Sequence, residues 1–96
     1  MKNIVFHELA EKELLSSRDF YDELTPYLGM KFILEVEHII HIIKNNPLTF
    51  PIYFKNYRKA LLRKFPYSII YRIENERVLI LAIAHERRKP NYFASR

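Results

Sequence analysis

Small and apolar residues repeat at helical spacing through the first half of the chain. A first stripe predicts a helix over residues 8–24, with Ala10, Leu14, Ser17, Tyr21 and Leu24 on one side. A second stripe predicts a helix over residues 26–44, with Leu28, Phe32, Val36, Ile39 and Ile43 on one side and Ile33 and Ile40 beside them. Thr25 and Pro26 suit the start of this second helix, because threonine caps helices and proline fits the first helical position. The short link predicts an antiparallel helix hairpin.

The other patterned segments are of the β type. Residues 2–6 predict a short opening strand, and the second half predicts strands over residues 57–64, 67–74 and 77–85. Residues 47–56, with two prolines and three aromatics, predict a loop that packs against the fold. The last strand is apolar at every position from Val78 to Ala84, so we expect it to be central and covered on both faces. This order predicts an α+β fold in which an opening strand and a helix hairpin precede a three-stranded antiparallel meander.

Length and composition restrict the class of protein. Ninety-six residues, 49% of them hydrophobic, suit one folded domain over residues 1–96. The chain has no cysteine, which excludes disulfides and thiolate zinc sites, and it has no glycine-rich phosphate-binding motif, so we expect no cofactor. The chain shows no signal-peptide pattern, and no apolar run approaches the ~20 residues of a membrane helix. We therefore expect a cytoplasmic protein without a membrane partner.

Charge is distributed unevenly along the chain. The net charge is +5, but residues 1–56 carry −2 and residues 57–96 carry +7. A basic segment of this size indicates a polyanion or an acidic protein as the partner. The alternative is a basic surface that only keeps the protein in solution.

Three side chains at the end of the last predicted strand are the candidate catalytic residues: His85, Arg88 and Tyr92. A neutral imidazole can accept or donate a proton near pH 7, and a guanidinium matches phosphate oxygens. A phenol can act as a weak acid or stack on a base. The alternative is structural: His85 would end the strand with a backbone contact, and Tyr92 and Phe93 would pack under the sheet as a clasp.

Further basic residues are candidates for binding nucleic acid or another target: Arg58, Arg63, Arg72, Arg87 and Lys89. If the strands pair as a meander, some of these side chains line one basic face. The alternative is a solvated strand edge that discourages aggregation, which applies most to Lys59 and Lys64.

Other catalytic chemistries have weaker signals. His38 and His41 are three positions apart on the second predicted helix, where Glu35 or Glu37 could join them around a metal ion. No further ligand stands out elsewhere in the sequence, so we predict no metal site. The acidic residues lie mostly on the helices, which argues against a hydrolase with paired carboxylates.

The element order and the C-terminal sequence resemble the RelE/ParE superfamily, the toxins of bacterial type II toxin–antitoxin pairs. The similarity spans nearly the whole chain. Its most specific parts are Arg63-x-Phe65-Pro66-Tyr67-x-Ile69-x-Tyr71-Arg72-Ile73 and Val78-x-Ile80-Leu81-Ala82-Ile83-Ala84-His85-x-Arg87-Arg88-x-Pro90-x-Tyr92-Phe93. The resemblance implies a compact α+β fold with both helices on one face of the sheet. It also implies a cognate acidic antitoxin that wraps and neutralises the toxin.

The resemblance leaves two main activities open. RelE-like members cut mRNA on the ribosome without a metal, by attack of the 2′-hydroxyl on the adjacent phosphate, whereas ParE-like members poison DNA gyrase. Tyr92 matches the tyrosine of the RelE-type site, and Arg88 falls near one of its basic positions. Ser68 and Glu86, however, stand where RelE-type members place arginines, and His85 would then have to serve as acid or base.

The Phe-Pro-Tyr and Ala-His-x-Arg-Arg strings are more similar to ParE-like chains. We therefore expect a gyrase-directed toxin. The alternatives are an mRNA endoribonuclease and a non-catalytic RNA-binding or inactive relative.

Overall fold

The computed structural model describes residues 2–96 and places two helices and one five-stranded sheet within them. The elements, in chain order, are β1 (Asn3–Phe6), α1 (Glu8–Leu24), α2 (Leu28–Asn45), β2 (Ile52–Phe54), β3 (Tyr57–Leu61), β4 (Tyr67–Ile73) and β5 (Arg77–His85). The strand order in the sheet is β1-β5-β4-β3-β2. β1 pairs with β5 in parallel, and the other neighbours are antiparallel. The predicted α+β fold and its C-terminal meander are confirmed.

The link between the helices differs from the prediction. The second helix begins at Leu28 rather than at Pro26, because Tyr27 adopts a left-handed conformation with φ of 67°. Thr25 does not cap α2; its backbone N–H instead donates to the carbonyl of Tyr21 and closes the end of α1. Pro26 therefore lies in the turn and not in the helix.

The region between α2 and β4 needs two further corrections. Part of the predicted loop forms the short strand β2, which pairs with β3 around a turn at Lys55, where φ is 52°. The strand predicted to run to residue 64 ends at Leu61. Beyond it, Leu62 N–H still donates to the carbonyl of Tyr67 on β4 at 2.9 Å, whereas the carboxylate of Glu35 on α2 accepts the backbone N–H groups of Arg63 and Lys64.

The sheet separates two apolar clusters. On the helix side, residues of α1 and α2 pack on the inward residues of β4 and β5, and the fully buried Phe32 lies 5.4 Å from Tyr21 and 5.0 Å from Tyr67 between ring centroids. On the other side, Tyr57, Ile70, Leu79, Leu81, Ala82, Ala84 and Phe93 form the second cluster. β5 lies between β1 and β4 and is covered on both faces, as the sequence predicts.

A β-bulge sets which way the end of β5 faces. The register with β4 shifts between Ile70 and Tyr71, so one residue of β5 has no partner. Leu81 and Ala82 consequently both belong to the cluster away from the helices, and Ile83 returns to the helix side. Such bulges re-aim the side chains that follow them. His85 therefore packs its ring edge-on against Tyr67 of the helix-side cluster, with 5.0 Å between the centroids.

The sole glycine lets the two helices approach closely. The backbone N–H of Gly29 donates to the carboxylate of Asp22 on α1 at 2.8 Å. A Cβ at this position would lie 2.7 Å from Asp22 Cγ and closer still to the carbonyl oxygen of Arg18. The hairpin thus needs a residue without a side chain at the first turn of α2. Neither of the helices within residues 2–96 is long and apolar enough to span a bilayer.

Candidate functional site

The last residues of the chain form a structured segment, which we call the C-terminal arm (residues 86–96). It follows β5 through a series of turns, in which the amide of Arg88 donates to the carbonyl of His85 at 3.0 Å and that of Arg96 to the carbonyl of Phe93 at 3.0 Å. Phe93 is 2% exposed and packs on Tyr57 of the sheet face away from the helices. The arm is therefore anchored to the rigid sheet rather than free.

The arm brings the three candidate catalytic residues together. His85, Arg88 and Tyr92 all line a pocket of about 220 Å³ at the end of β5. The guanidinium carbon of Arg88 lies 3.9 Å from the centroid of the Tyr92 ring, which is a close cation–π contact. His85 Nδ1 accepts the backbone N–H of Arg87 at 3.0 Å, so the neutral imidazole carries its proton on Nε2.

The hydroxyl of Tyr92 is committed to a partner within the fold. It donates to Glu13 Oε2 on α1 at 2.7 Å. Burial and the hydrogen bond to this carboxylate raise the pKa of Tyr92 well above the ordinary tyrosine value. The phenol thus stays protonated, and its proton points at Glu13. In this arrangement the hydroxyl cannot donate its proton to a departing RNA oxygen.

Glu13 and Arg96 form the centre of this arrangement, and sequence reasoning did not identify them. The guanidinium of Arg96 binds both carboxylate oxygens of Glu13, at 2.9 and 2.8 Å, and the two side chains are only 10% and 16% exposed. This hydrogen bonding raises the pKa of Arg96 further. The available signal was the position of Glu13, which lies between Ala10 and Ser17 on the buried stripe of α1.

The pair replaces a missing strand partner. β1 pairs only with residues 77–80 of β5, so residues 81–85 have β4 on one side and, among residues 2–96, no strand on the other. Side chains pair with this strand edge instead: Ile83 N–H donates to Glu13 at 3.0 Å, and Arg96 donates to the carbonyl of Leu81 at 3.0 Å. Buried backbone groups need such partners.

The two positions that differ from the RelE-type pattern lie next to each other and interact. Ser68 is 1% exposed, and its hydroxyl donates to Glu86 Oε1 at 2.7 Å. Lys59 approaches the other carboxylate oxygen of Glu86 at 3.4 Å, and its ammonium also lies 4.6 Å from the centroid of the Tyr53 ring. A hydroxyl and a carboxylate therefore line the pocket at the two positions where the RelE-type pattern has arginines.

The candidate binding residues fall into separate groups. Arg87 and Lys89 are exposed on the arm, and Lys89 also lines the pocket. Arg63 lines a different groove, of about 610 Å³, between α2 and the loop before β4.

Arg58 and Arg72 have partners in the fold. Arg58 donates to the carbonyl of Phe50 at 2.6 Å. Arg72 pairs with Glu74 at 2.9 Å, and hydrogen bonds from Arg77 and then Arg72 lower the pKa of that carboxyl. The structure does not bring Arg58 and Arg72 to the arm.

The histidines considered as metal ligands are not gathered around an ion site. Within residues 2–96, no group of three His, Asp or Glu side chains is placed to hold a metal. His41 Nε2 lies 3.0 Å from the amide nitrogen of Asn45, and Glu35 is bonded to backbone amides of the loop before β4.

The raised pKa of Tyr92 predicts a pH effect. A tyrosine whose pKa rises on folding adds stability that is complete below the ordinary value of 10.0 and is lost as the pH rises above it. We expect the free energy of unfolding of the unmodified protein to fall more steeply above pH 10 than that of Tyr92→Phe. Near pH 7 the variant should lose about 1 kcal/mol with the hydrogen bond. Urea titrations between pH 7 and 12 measure both effects.

The comparison isolates one phenol. Burial also raises the pKa values of Tyr21 and Tyr71, but both tyrosines are present in both proteins. Tyr53→Phe, at an exposed ring, is the matched control and should keep the steep alkaline loss. Parallel pH curves for the unmodified protein and Tyr92→Phe would contradict the assignment.

Comparison with known proteins gives consistent matches. A family model described as the ParE toxin of the type II toxin–antitoxin system parDE matches residues 4–90. Toxin ParE2 of Mycobacterium tuberculosis, in strains H37Rv and CDC 1551, is 31% identical over 86 residues, covering 88% of this chain and 82% of that protein. A solved chain of the chromosomal ParDE system from P. aeruginosa superposes with a TM-score of 0.78 at 19% identity, covering 88% of this chain and 96% of that one.

Proposed function

Since this chain belongs to the ParE toxin family of type II toxin–antitoxin systems, we propose that the free toxin inhibits growth by acting on DNA gyrase. The toxin contacts gyrase through the exposed cations of the C-terminal arm, Arg87, Arg88 and Lys89. The arm is held by Phe93 and by the Glu13–Arg96 pair, so it presents these charges in a fixed arrangement. Fixed charges favour recognition of a large, complementary surface.

The observation that favours gyrase over mRNA cleavage is the hydrogen bond between Ser68 and Glu86. Metal-free cleavage of RNA requires donors and cations aimed at the phosphate where charge develops, together with an acid for the leaving oxygen. Glu86 adds negative charge to the pocket at that place. The hydroxyl of Tyr92 is occupied by Glu13. Although Lys59, His85 and Arg88 also line the pocket, it lacks the two arginines that the RelE-type pattern places at positions 68 and 86. Tyr92 is not free to protonate the leaving oxygen.

A toxin of this type works with an antitoxin, which we propose covers the groove beside α2. The groove beside α2 has an apolar floor that includes Leu28, Leu34 and Phe65, with Arg63 and Lys64 on its rim. An acidic segment with one apolar face would match both the floor and the charges of this groove. A toxin that acts on DNA gyrase and is bound by its antitoxin would be located in the cytoplasm.

The gyrase assignment is tested with purified components. We expect the toxin to reduce DNA supercoiling by gyrase and to accumulate complexes in which the DNA is cleaved. We expect added antitoxin to restore supercoiling. Induced expression in cells should block replication and raise the DNA-damage response before translation falls.

Assays of mRNA cleavage and of growth test the two alternatives, an endoribonuclease and an inactive relative. The toxin should leave mRNA intact, with and without ribosomes. Cleaved mRNA together with unaltered gyrase activity would replace this proposal with the endoribonuclease function. Unaltered gyrase, intact mRNA and normal growth on induction would indicate an inactive relative.

A further inference from the structure

We propose that Glu13 is a positioning residue of the toxin: it holds the ring of Tyr92 in place and thereby fixes the guanidinium of Arg88 on the surface that meets the target. The inference deepens the proposed function, on which the identity of that target rests. Glu13 lies on α1, far from Arg88 in sequence, and acts on it only through Tyr92.

The contacts form a continuous chain. Glu13 Oε2 accepts the hydroxyl of Tyr92 at 2.7 Å, and the Tyr92 ring in turn stacks with Arg88 at 3.9 Å from its centroid. Arg96 also lies against this ring, at 5.0 Å, while it binds both oxygens of Glu13. The hydroxyl end and the ring of Tyr92 are therefore both held in place. Because Arg88 stacks on this ring, the position of its guanidinium is fixed as well.

The fold gives Arg88 little other support. Arg88 is exposed, and within residues 2–96 its guanidinium makes no hydrogen bond or ion pair with another side chain. A long side chain in water samples many rotamers, and ordering it costs up to about 2 kcal/mol of conformational entropy. The stacked ring supplies the order before the target binds. An arginine already in place binds more tightly than one that must be ordered on contact.

The Glu13–Arg96 pair serves both the sheet edge and the phenol of Tyr92. A nearly buried ion pair often adds little net stability, because removing both charges from water offsets their attraction. Apolar side chains at positions 13 and 96 would cover the same sheet edge. They would not accept the hydrogen bond from the Tyr92 hydroxyl, however, and they would leave Ile83 N–H and the Leu81 carbonyl without partners. The observed residues satisfy that edge and fix the ring together.

The test follows the position of Arg88 by NMR and the potency of the toxin in parallel. A ring current shifts the signals of protons that lie over an aromatic face, so the side-chain protons of folded Arg88 should resonate upfield. In Glu13→Gln, an NH₂ group replaces one carboxylate oxygen and faces Arg96 together with either the Tyr92 hydroxyl or Ile83 N–H, and the charge that holds Arg96 is lost. We expect the upfield shift to disappear and the potency in gyrase inhibition and in growth inhibition to fall at least tenfold.

Two further variants separate positioning from folding. Tyr92→Phe keeps the ring but not the hydroxyl, and it should lose the same upfield shift. Glu11→Gln changes an exposed carboxylate two positions away on α1 and should keep both the shift and the potency. Ring-current shifts in the Tyr67–Phe32 cluster report whether each variant retains the core.

The outcomes distinguish this inference from the target assignment. An unchanged Arg88 shift in Glu13→Gln, or a lost shift with full potency, overturns the positioning role and leaves the gyrase proposal intact. A toxin that stops growth without affecting gyrase removes the target assignment. In that case the growth assay and the Arg88 shift still test the role of Glu13.

Discussion

Replacing Phe32 by alanine is expected to lower the free energy of unfolding by about 3–5 kcal/mol. Phe32 is fully buried, and its ring contacts Tyr21, Phe65 and Tyr67 at centroid distances of 5.4, 5.2 and 5.0 Å. Truncation removes the buried apolar surface and leaves a cavity that rigid neighbours fill only in part. The total free energy of unfolding of a small domain is only about 5–15 kcal/mol. Urea denaturation followed by circular dichroism measures the loss.

The effect should extend to the site. Tyr67 packs against Phe32 on one side and against the ring of His85 on another. A cavity beneath Tyr67 should therefore release His85 as well. The matched control is Phe20→Ala, because Phe20 is 55% exposed on α1, and its truncation should cost less than about 1 kcal/mol. Similar losses in the two variants would contradict the assignment of Phe32 to the centre of the core.

Periodicity was sufficient to predict most of the fold. The stripe from Ala10 to Tyr21 predicted α1 because its residues pack into the core, whereas Leu24, which the pattern placed on the same side, is 62% exposed. The unbroken apolar run of β5 gave a strand with two neighbours and two covered faces. These elements are long, and the burial of their apolar side chains contributes most of their stability. Local pattern and tertiary structure therefore agree.

The later start of α2 and the unpredicted strand β2 both depend on single backbone conformations. Tyr27 and Lys55 both have positive φ, which residues other than glycine rarely adopt. Neither a tyrosine nor a lysine is a residue type that predicts such a turn from the sequence. The first delays the start of α2, and the second folds β2 back onto β3. β2 has only three residues, two of them exposed, so it has no alternation from which to predict a strand.

The sequence predicted the part of the site whose residues are close together in the chain, and it did not predict the distant partners. The sequence places His85, Arg88 and Tyr92 within eight residues at the end of a strand, and the turns of the arm keep them together. The partners of Tyr92 are distant: Glu13 is 79 residues away. Glu13 and Arg96 meet because β1 ends before β5 does, which leaves an edge to be satisfied. The length of β1 relative to β5 follows only from their register.

The remaining large effect concerns the charges of the arm, and it tests the surface rather than the fold. Arg87→Ala combined with Arg88→Ala should lower the toxicity of the free protein by roughly a hundredfold or more. Each side chain is exposed and available for one charge-assisted contact worth about 1.5–3 kcal/mol, and each 1.4 kcal/mol is a tenfold change in affinity. Arg88→Lys in place of Arg88→Ala in this double variant should restore only part of the lost toxicity, because an ammonium does not stack on an aromatic ring as a guanidinium does. Growth after induction and inhibition of supercoiling measure the effect.

The control for this variant removes the same charge elsewhere. Lys44→Ala combined with Lys55→Ala also lowers the net charge from +5 to +3, and both lysines are exposed and lie outside the arm. If the arm is the contact surface, this control keeps nearly full toxicity, since only long-range attraction is weakened. Equal losses in the two double variants would mean that the target responds to total charge. The fixed cations at the end of β5 would then not be the contact surface.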